Sequence, residues 1–229
     1  MPLMSSKVAA IEVEKQADES TIKKVPIHPS QKEIDMVMNS ILNEYEDVFN
    51  ADKELKVMSG KPMVIKVKEN AVPHAVHGAR TIPYCQREQV KKMLDDMESK
   101  GIISQVGDRY TEWCSPMVVV MKDDGSLRLV VDYSRLNEQS ERPIYPMKTP
   151  TEAVEAVPRK ANYFSTLDAV NGYWQMDLAP ESRDYTCFIT PWGRYIYNRS
   201  PMGYVATGDG FNLRVDRAIE GIENIQKVV

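Results

Sequence analysis

Apolar residues recur at helical spacing in three parts of the chain, which predicts three amphipathic helices, and capping signals predict a fourth helix. The first begins at Ser30, which with Glu33 fits a capping box, and the second stops at Gly101, a residue suited to a helix C-terminus. The third begins at Thr149 and continues with a proline, which favours the first helical position. The fourth covers the apolar positions of 211–222.

Short β-rich runs predict the strands. We expect a strand at 63–68 (MVIKVK) and a buried strand at 164–169 (FSTLDA). Two further pairs of runs predict hairpins, one turning at 123–126 (DDGS) and one at 191–193 (PWG). Helices and antiparallel hairpins interleave without regular βαβ alternation, so the predicted fold class is α+β, an antiparallel sheet with flanking helices.

Composition adds few constraints to this picture. The 229 residues are 42% hydrophobic and 27% charged, which is ordinary for a globular protein, and no apolar run approaches the ~20 residues of a membrane span. The N-terminus lacks the apolar core of a secretory signal, and three well-separated cysteines favour a reducing compartment, so we expect an intracellular protein that is not secreted. The net charge of −4 neither indicates nor excludes nucleic-acid binding, because phosphate contacts depend on local Lys and Arg placement.

The organisation along the chain predicts three parts. Residues 1–29 show little apolar periodicity and are predicted to form a flexible leader, while 30–60 form a helical linker and 61–229 the main domain. The apolar ending IENIQKVV is typical of the start of a core strand, so we expect the chain to stop within a domain.

Four stretches, in order, resemble the reverse transcriptases of gypsy-type LTR retrotransposons. They are GIISQVGDRYTEWCSPMVVVMKDDGSLRLVVDYSRLNEQS, YFSTLDAVNGYWQMDLAPES, YTCFITPWGRYIYNRSPMGY and IQKVV. The resemblance covers about residues 40–229. It implies a right-hand polymerase with fingers at about 61–143 and 176–206 and a partial palm at about 144–175 and 207–229, with thumb and RNase H absent.

Asp168, in FSTLDAVNGYWQ, matches the family's first metal-binding aspartate. Nucleotide addition is an in-line phosphoryl transfer assisted by two Mg²⁺ ions, which prefer carboxylate ligands. The alternative is a turn aspartate that caps Asn171 and Gly172. The family's partner aspartates lie in a "[YFV]-V-D-D" hairpin, and Val228 and Val229 match the two positions before that pair. We therefore expect these 229 residues to be inactive alone.

The resemblance also assigns nucleotide-binding residues. Arg128 matches the fingers arginine that contacts the triphosphate, and Lys122 is a second candidate; the alternative for both is a solvated hairpin charge. Tyr173 matches the aromatic residue that excludes a ribose 2′-hydroxyl, or it is a core aromatic. Met202 and Gly203 match the "P-[FQ]-G" element over the incoming nucleotide, with Met202 replacing the usual Phe or Gln.

Asp132 and Asn137 lie in a segment, DYSRLN, that resembles the family's "D-[YF]-R-x-L-N", with Ser134 in place of arginine. We predict structural roles for both, as turn and capping partners. We do not interpret His74, His77 and Cys85 as a zinc site, because zinc sites normally show a second close pair of ligands, which is missing. The methionine-rich helix at 36–42 is interpreted as core packing.

The predicted function is that of an RNA-directed DNA polymerase fragment of a Pol polyprotein. Its parent would bind RNA or DNA template-primer and dNTPs, with Mg²⁺ as cofactor. Two alternatives remain at this point: a degenerate or host-adopted remnant that binds nucleic acid or protein without catalysis, and a fragment with no independent role.

Overall fold

The computed structural model describes residues 5–8, 29–49, 55–157, 165–223, 225 and 227, with the backbone alone for Ser5–Val8 and Pro150. The chain divides into two units. Unit 1 comprises Met1–Ser59, Met147–Gly172 and Val215–Val229, and unit 2 comprises Gly60–Pro146 and Tyr173–Arg214. The division lies close to the predicted boundaries between fingers and palm, and the assignment of those subdomains stays a prediction.

The described residues form short strands and helices in mixed order. The strands are β1 (Ser5–Val8), β2 (Ile103–Gln105), β3 (Ser115–Met121), β4 (Leu127–Val131), β5 (Thr166–Ala169), β6 (Phe188–Thr190) and β7 (Gly193–Tyr197). The helices are α1 (Gln31–Glu44), α2 (Glu46–Phe49), α3 (Tyr84–Ser99), α4 (Ser134–Gln139), α5 (Pro150–Glu155) and α6 (Thr207–Ile219), with 3₁₀ turns at Gly172–Gln175 and Pro180–Thr186.

A five-stranded sheet in the order β2-β7-β6-β3-β4 organises unit 2. Its pairings are antiparallel except β3–β6, which is parallel. The two predicted hairpins are confirmed: Met121 pairs with Leu127 across the first turn, and Thr190 pairs with Gly193 across the second. The α+β class is confirmed.

The helix termini follow the local signals in the sequence. Ser30 and Glu33 form the predicted capping box of α1, and Thr149 forms the same arrangement at the start of α5. Gly101 follows the end of α3 with a φ of +66°, a left-handed conformation that glycine adopts at little cost. The last helix, α6, begins at Thr207, earlier than the apolar periodicity predicts.

Apolar side chains of α3 and the sheet form the core of unit 2. Helix α3 buries Val90, Leu94 and Met97. The ring of Phe188 stacks on Tyr195 with centroids 5.7 Å apart. The helical spacing of Val90, Leu94 and Met97 predicted that they share one face, and the structure buries all three. The largest fully buried side chains of this core also include Ile102, Ile103, Tyr133, Leu136, Met176 and Leu178.

The prediction of a strand at 63–68 is wrong. This segment forms two isolated bridges, Met63 with Leu178 and Val67 with Ser140. Because the two bridges join different parts of the chain, no continuous ladder forms along the segment.

The prediction of a buried strand at 164–169 is half correct. Thr166–Ala169 form β5, yet all four residues are exposed. The strand partner of β5 among the described residues is β1, in parallel. A two-stranded ribbon leaves both faces open unless another element covers it.

Helix α1 contains no fully buried residue, and Met36 is exposed, so the interpretation of its methionines as core is wrong for the described residues.

Of the predicted leader, 1–4 and 9–28 lie outside the described residues, whereas Ser5–Val8 form β1. Residues 224, 226, 228 and 229 of the strand predicted at the end of the chain also lie outside them. Among the described helices, none is both long and apolar enough to span a membrane.

Candidate nucleotide-binding site

Two predicted nucleotide-binding residues, Arg128 and Met202, are in contact. Arg128 is the second residue of β4, and its side chain is exposed while its neighbour Leu127 is buried. Its Nη2 lies 3.2 Å from Sδ of Met202. The contact orients the guanidinium group. Because a thioether sulfur is only a weak hydrogen-bond acceptor, the guanidinium N–H groups can still donate to a stronger one. The structure thus joins two motifs that are distant in the sequence.

Gly203 occupies a position that a side chain would disturb. Its φ is +87°, and a Cβ built there would lie 3.2 Å from the backbone oxygen of Val131 at the end of β4. That separation is tighter than ordinary van der Waals contact, and the left-handed conformation adds a cost for any L-residue with a Cβ. Glycine therefore allows the 201–203 turn to lie directly against β4.

Asn137 fixes the same turn through both ends of its amide. Its Nδ2 donates to the carbonyl oxygen of Gly203 at 2.9 Å, and its Oδ1 accepts from the backbone N–H of Val205 at 2.9 Å. Sequence reasoning gave Asn137 a structural role without identifying these partners. The DYSRLN motif was the available signal, because it places an amide in the first turn of α4, the helix that follows β4.

Asp132 serves as the predicted turn partner at the start of α4. Its Oδ1 accepts hydrogen bonds from the backbone N–H of Ser134 at 3.2 Å and from the Ser134 hydroxyl at 2.6 Å. Its Oδ2 lies 3.0 Å from Nη2 of Arg80. The hydrogen bonds from Ser134, the largest cause, lower the pKa of this carboxyl group. Asp132 therefore orders the β4–α4 connection that carries Asn137.

Tyr173 is half-buried and packs edge-to-face against Phe211, with ring centroids 5.5 Å apart. A Cβ built on Gly208 would lie 3.6 Å from the Tyr173 hydroxyl. Aromatic packing from α6 therefore holds the ring, while part of it stays open to solvent. Its role as a filter for the sugar stays a prediction.

Lys122 and Asp168 are the remaining residues that the sequence predicts for the site. Lys122 is exposed just after β3, where its backbone oxygen accepts from the N–H of Gly125 at 2.9 Å and closes the turn. Asp168 is the third residue of β5, exposed, and belongs to unit 1, whereas the other predicted site residues belong to unit 2. Their functional roles stay predictions.

Magnesium needs more ligands than Asp168 supplies. The described residues contain no group of three or more His, Cys, Asp or Glu side chains that could hold a metal ion. Asp168 belongs to no such group among the described residues, and its metal-binding role stays a prediction. The four aspartates that follow Asp168 in the sequence form ion pairs: Asp177 with Arg199, Asp184 with Arg109, Asp209 with Arg142 and Asp216 with Lys227.

Asp209 anchors the segment that follows α4. Its buried carboxylate accepts from Nε of Arg142 at 2.7 Å and from the backbone N–H of Tyr145 at 3.2 Å. Burial favours the neutral acid, but these hydrogen bonds outweigh burial and lower the pKa of Asp209. A lowered pKa means that the carboxylate stabilises the fold above the pKa of the unfolded chain, about 3.9.

We expect Asp209→Asn to lower the free energy of unfolding near pH 7 by about 2 kcal/mol, since hydrogen bonds to a charged group are lost. The difference between wild type and variant should shrink as the pH falls from about 4 through the lowered pKa of Asp209, because the unfolded chain takes up the proton first and the folded carboxylate does so only at lower pH. Urea unfolding of wild type and variant at several pH values measures this difference. Asp123→Asn, at an exposed turn position, is the matched control. A difference that does not change with pH would contradict the role given to the charge.

Comparisons with known proteins agree with this architecture. The chain is 28% identical over 196 residues to the retrovirus-related Pol polyprotein from transposon 412 of Drosophila melanogaster, covering 82% of this chain and 15% of the polyprotein. It is 33% identical over 146 residues to the Pol polyprotein from transposon gypsy of the same species, covering 61% of this chain and 13% of that protein. No family model matches the chain.

Solved structures of a viral enzyme have the same fold. The crystal structure of the prototype foamy virus protease-reverse transcriptase matches with a TM-score of 0.73 and 20% identity, covering 87% of this chain and 26% of that one. The foamy viral enzyme in complex with an RNA/DNA hybrid matches with a TM-score of 0.67 and 17% identity, covering 88% and 26%.

The chain therefore shares its fold with part of the foamy viral protease-reverse transcriptase. In sequence, the chain is homologous to retrovirus-related Pol polyproteins of Drosophila transposons, gypsy among them. The chain spans 15% of the length of the transposon 412 polyprotein.

Proposed function

We propose that the chain forms the nucleotide-binding fingers and part of the palm of an RNA-directed DNA polymerase from a retrotransposon Pol polyprotein. The observation that carries the proposal is the contact between Arg128 and Met202, at 3.2 Å. The resemblance assigns both residues to the incoming nucleotide from separate motifs, and folding brings them together. A shared binding role explains why an exposed arginine is placed over the 201–203 turn.

Each residue of the site has a distinct chemical task in this proposal. The planar guanidinium of Arg128 binds triphosphate oxygens, with Lys122 as a second cation. Gly203 lets the nucleotide approach the backbone. Tyr173 excludes a ribose 2′-hydroxyl by its bulk, which selects dNTPs.

Asp168 contributes one carboxylate to metal binding in this proposal. When bound, Mg²⁺ would stabilise the charge that develops on the transferred phosphoryl group. Among the 229 residues, Asp168 is the aspartate that matches a metal-binding motif. We therefore expect a protein of these residues alone to be inactive in nucleotide transfer.

An RNA or DNA template-primer is the proposed macromolecular partner. The support is the fold shared with a foamy viral enzyme that was solved with an RNA/DNA hybrid. An intracellular location is part of the proposal, because Cys85, Cys114 and Cys187 are all free thiols.

The nucleotide role of Arg128 can be tested in an extended protein, defined as this chain followed by the segment of the transposon 412 polyprotein that comes after the aligned region. We expect Arg128→Ala to lower kcat/KM for dNTPs on the order of 30-fold, from about 2 kcal/mol of lost charge-assisted hydrogen bonding. Affinity for template-primer should change far less. Steady-state primer extension and a hybrid-binding titration measure the two effects.

Arg135→Ala is the matched control, because Arg135 is also exposed and pairs with Glu138 on α4. It should leave both quantities near wild type. An equal loss of dNTP use and template binding in Arg128→Ala would contradict the role assigned to Arg128.

A second candidate function is a remnant that binds nucleic acid without catalysis. The observation favouring it is that the described residues complete no metal site. An extended protein that binds hybrid and dNTPs but never extends a primer would support this alternative.

A further inference from the structure

Two buried cysteines lie side by side in unit 2. In the parallel β3–β6 pair, Ser115 lies opposite Phe188, and one residue earlier on both strands the same register places Cys114 opposite Cys187. The backbone N–H of Ser115 donates to the carbonyl oxygen of Cys187 at 2.8 Å. Neighbouring strands lie about 4.8 Å apart, which is within the Cα separations of about 4.4–6.8 Å that a disulfide accepts.

The surroundings of the two thiols differ. The Thr111 hydroxyl lies 3.4 Å from Sγ of Cys187 and in turn accepts a hydrogen bond from Nη1 of Arg194 at 3.1 Å. The hydrogen bond with the Cys114 thiol is the largest cause that lowers the pKa of Cys187, opposed by burial and assisted by Thr111 and Arg194. The same contact, with burial, raises the pKa of Cys114. The proton of the pair is thus held on Cys114, and Cys187 has the more nucleophilic sulfur.

We propose that Cys114 and Cys187 are an oxidative modification site that closes to a disulfide with a mild two-electron oxidant. With diamide, a diazenedicarboxamide, the Cys187 thiolate adds to one nitrogen of the N=N bond, and the other nitrogen takes up a proton. The Cys114 sulfur, losing its proton, then attacks Sγ of Cys187, the S–S bond forms, and the protonated hydrazine leaves. Two thiols are oxidised and one N=N bond is reduced.

The bond would join two parts of the sheet that the chain connects through a long path. Cys114 precedes β3, which leads to the hairpin that carries Arg128, and Cys187 precedes β6. The segment around Ala75 pairs with Cys114 and covers it, so reagents reach the pair through local opening. Oxidation is therefore slower than modification of Cys85, which is exposed. Once formed, the crosslink restricts the unfolded chain and stabilises the fold.

The test uses Cys85→Ser in the full chain, so that the exposed thiol takes no part. After diamide treatment of the folded protein, labelling with N-ethylmaleimide in urea should find no free thiol. Intact mass should fall by two hydrogen atoms, and peptide mapping should recover a linked pair of peptides that contain Cys114 and Cys187. Dithiothreitol should restore both thiols, and the urea midpoint should be higher in the oxidised form.

Cys85→Ser/Cys114→Ser is the control and should retain one thiol that forms no intramolecular crosslink. If this control fails to fold, mapping of the wild-type chain still decides between linkage of Cys114 to Cys187 and linkage to Cys85. The proposal is overturned if folded Cys85→Ser keeps both thiols, if the linked peptide forms only in urea, or if the disulfide lowers the urea midpoint.

Discussion

Asp168→Asn is expected to lower templated dNTP incorporation by the extended protein on the order of 1,000-fold, equivalent to about 4 kcal/mol of lost transition-state stabilisation. Asparagine keeps the shape of the side chain and one oxygen but loses the negative charge that a hard cation prefers. Because Asp168 is exposed on β5, its loss should leave folding nearly unchanged. Primer extension with Mg²⁺, together with circular dichroism of the variant, measures both expectations.

Asp35→Asn is the matched control, because Asp35 is an exposed aspartate of α1 in the same unit. It should retain full incorporation. The 229-residue chain without the extension should show none with Mg²⁺ or Mn²⁺. Robust extension by the extended Asp168→Asn variant would show that Asp168 is not the metal-binding carboxylate. Extension by the 229-residue chain would refute the expected inactivity of that chain.

Gly203→Ala is expected to lower the free energy of unfolding by about 3 kcal/mol, combining the cost of a left-handed L-residue with that of overpacking. The added methyl group would lie 3.2 Å from the oxygen of Val131, a backbone atom that cannot rotate away. Relief requires the turn to move, which strains both hydrogen bonds of Asn137. Urea unfolding of wild type and variant measures the loss.

Gly125→Ala separates the two causes. Gly125 also has a positive φ, +79°, but a Cβ there meets no atom within 4 Å. We expect it to cost about 1 kcal/mol, from backbone conformation alone. Equal losses for the two variants would refute the close approach of the 201–203 turn to β4 as the reason for glycine at position 203.

The sequence alone predicted the helix ends and the hairpin turns. The capping boxes at Ser30 and Thr149, the helix stop at Gly101 and the two hairpin turns all formed where the sequence predicted them. Each depends on residues within a few positions of one another, so the sequence contains the whole interaction. The resemblance to reverse transcriptases likewise rested on contiguous motifs, and the comparisons support it.

Two predictions about strands failed because they depended on partners far along the chain. The β-rich run at 63–68 could have joined a ladder, but its bridging residues contact Leu178 and Ser140, in separate segments. The run that contains β5 was predicted to be a buried core strand. Its strand partner among the described residues is β1, and all four residues of β5 are exposed. Periodicity indicates which side of a strand is apolar and says nothing of what covers it.

The candidate site divides in the same way. The resemblance to reverse transcriptases, which rests on contiguous motifs, identified Arg128, Gly203 and Asp168 as candidate residues. Other features of the site depend on the tertiary structure. In the fold, Arg128 contacts Met202, both polar atoms of the Asn137 amide bond the backbone of one turn, and Cys114 lies beside Cys187. Such contacts join residues more than sixty positions apart, so they depend on how the strands pair, which no local pattern specifies.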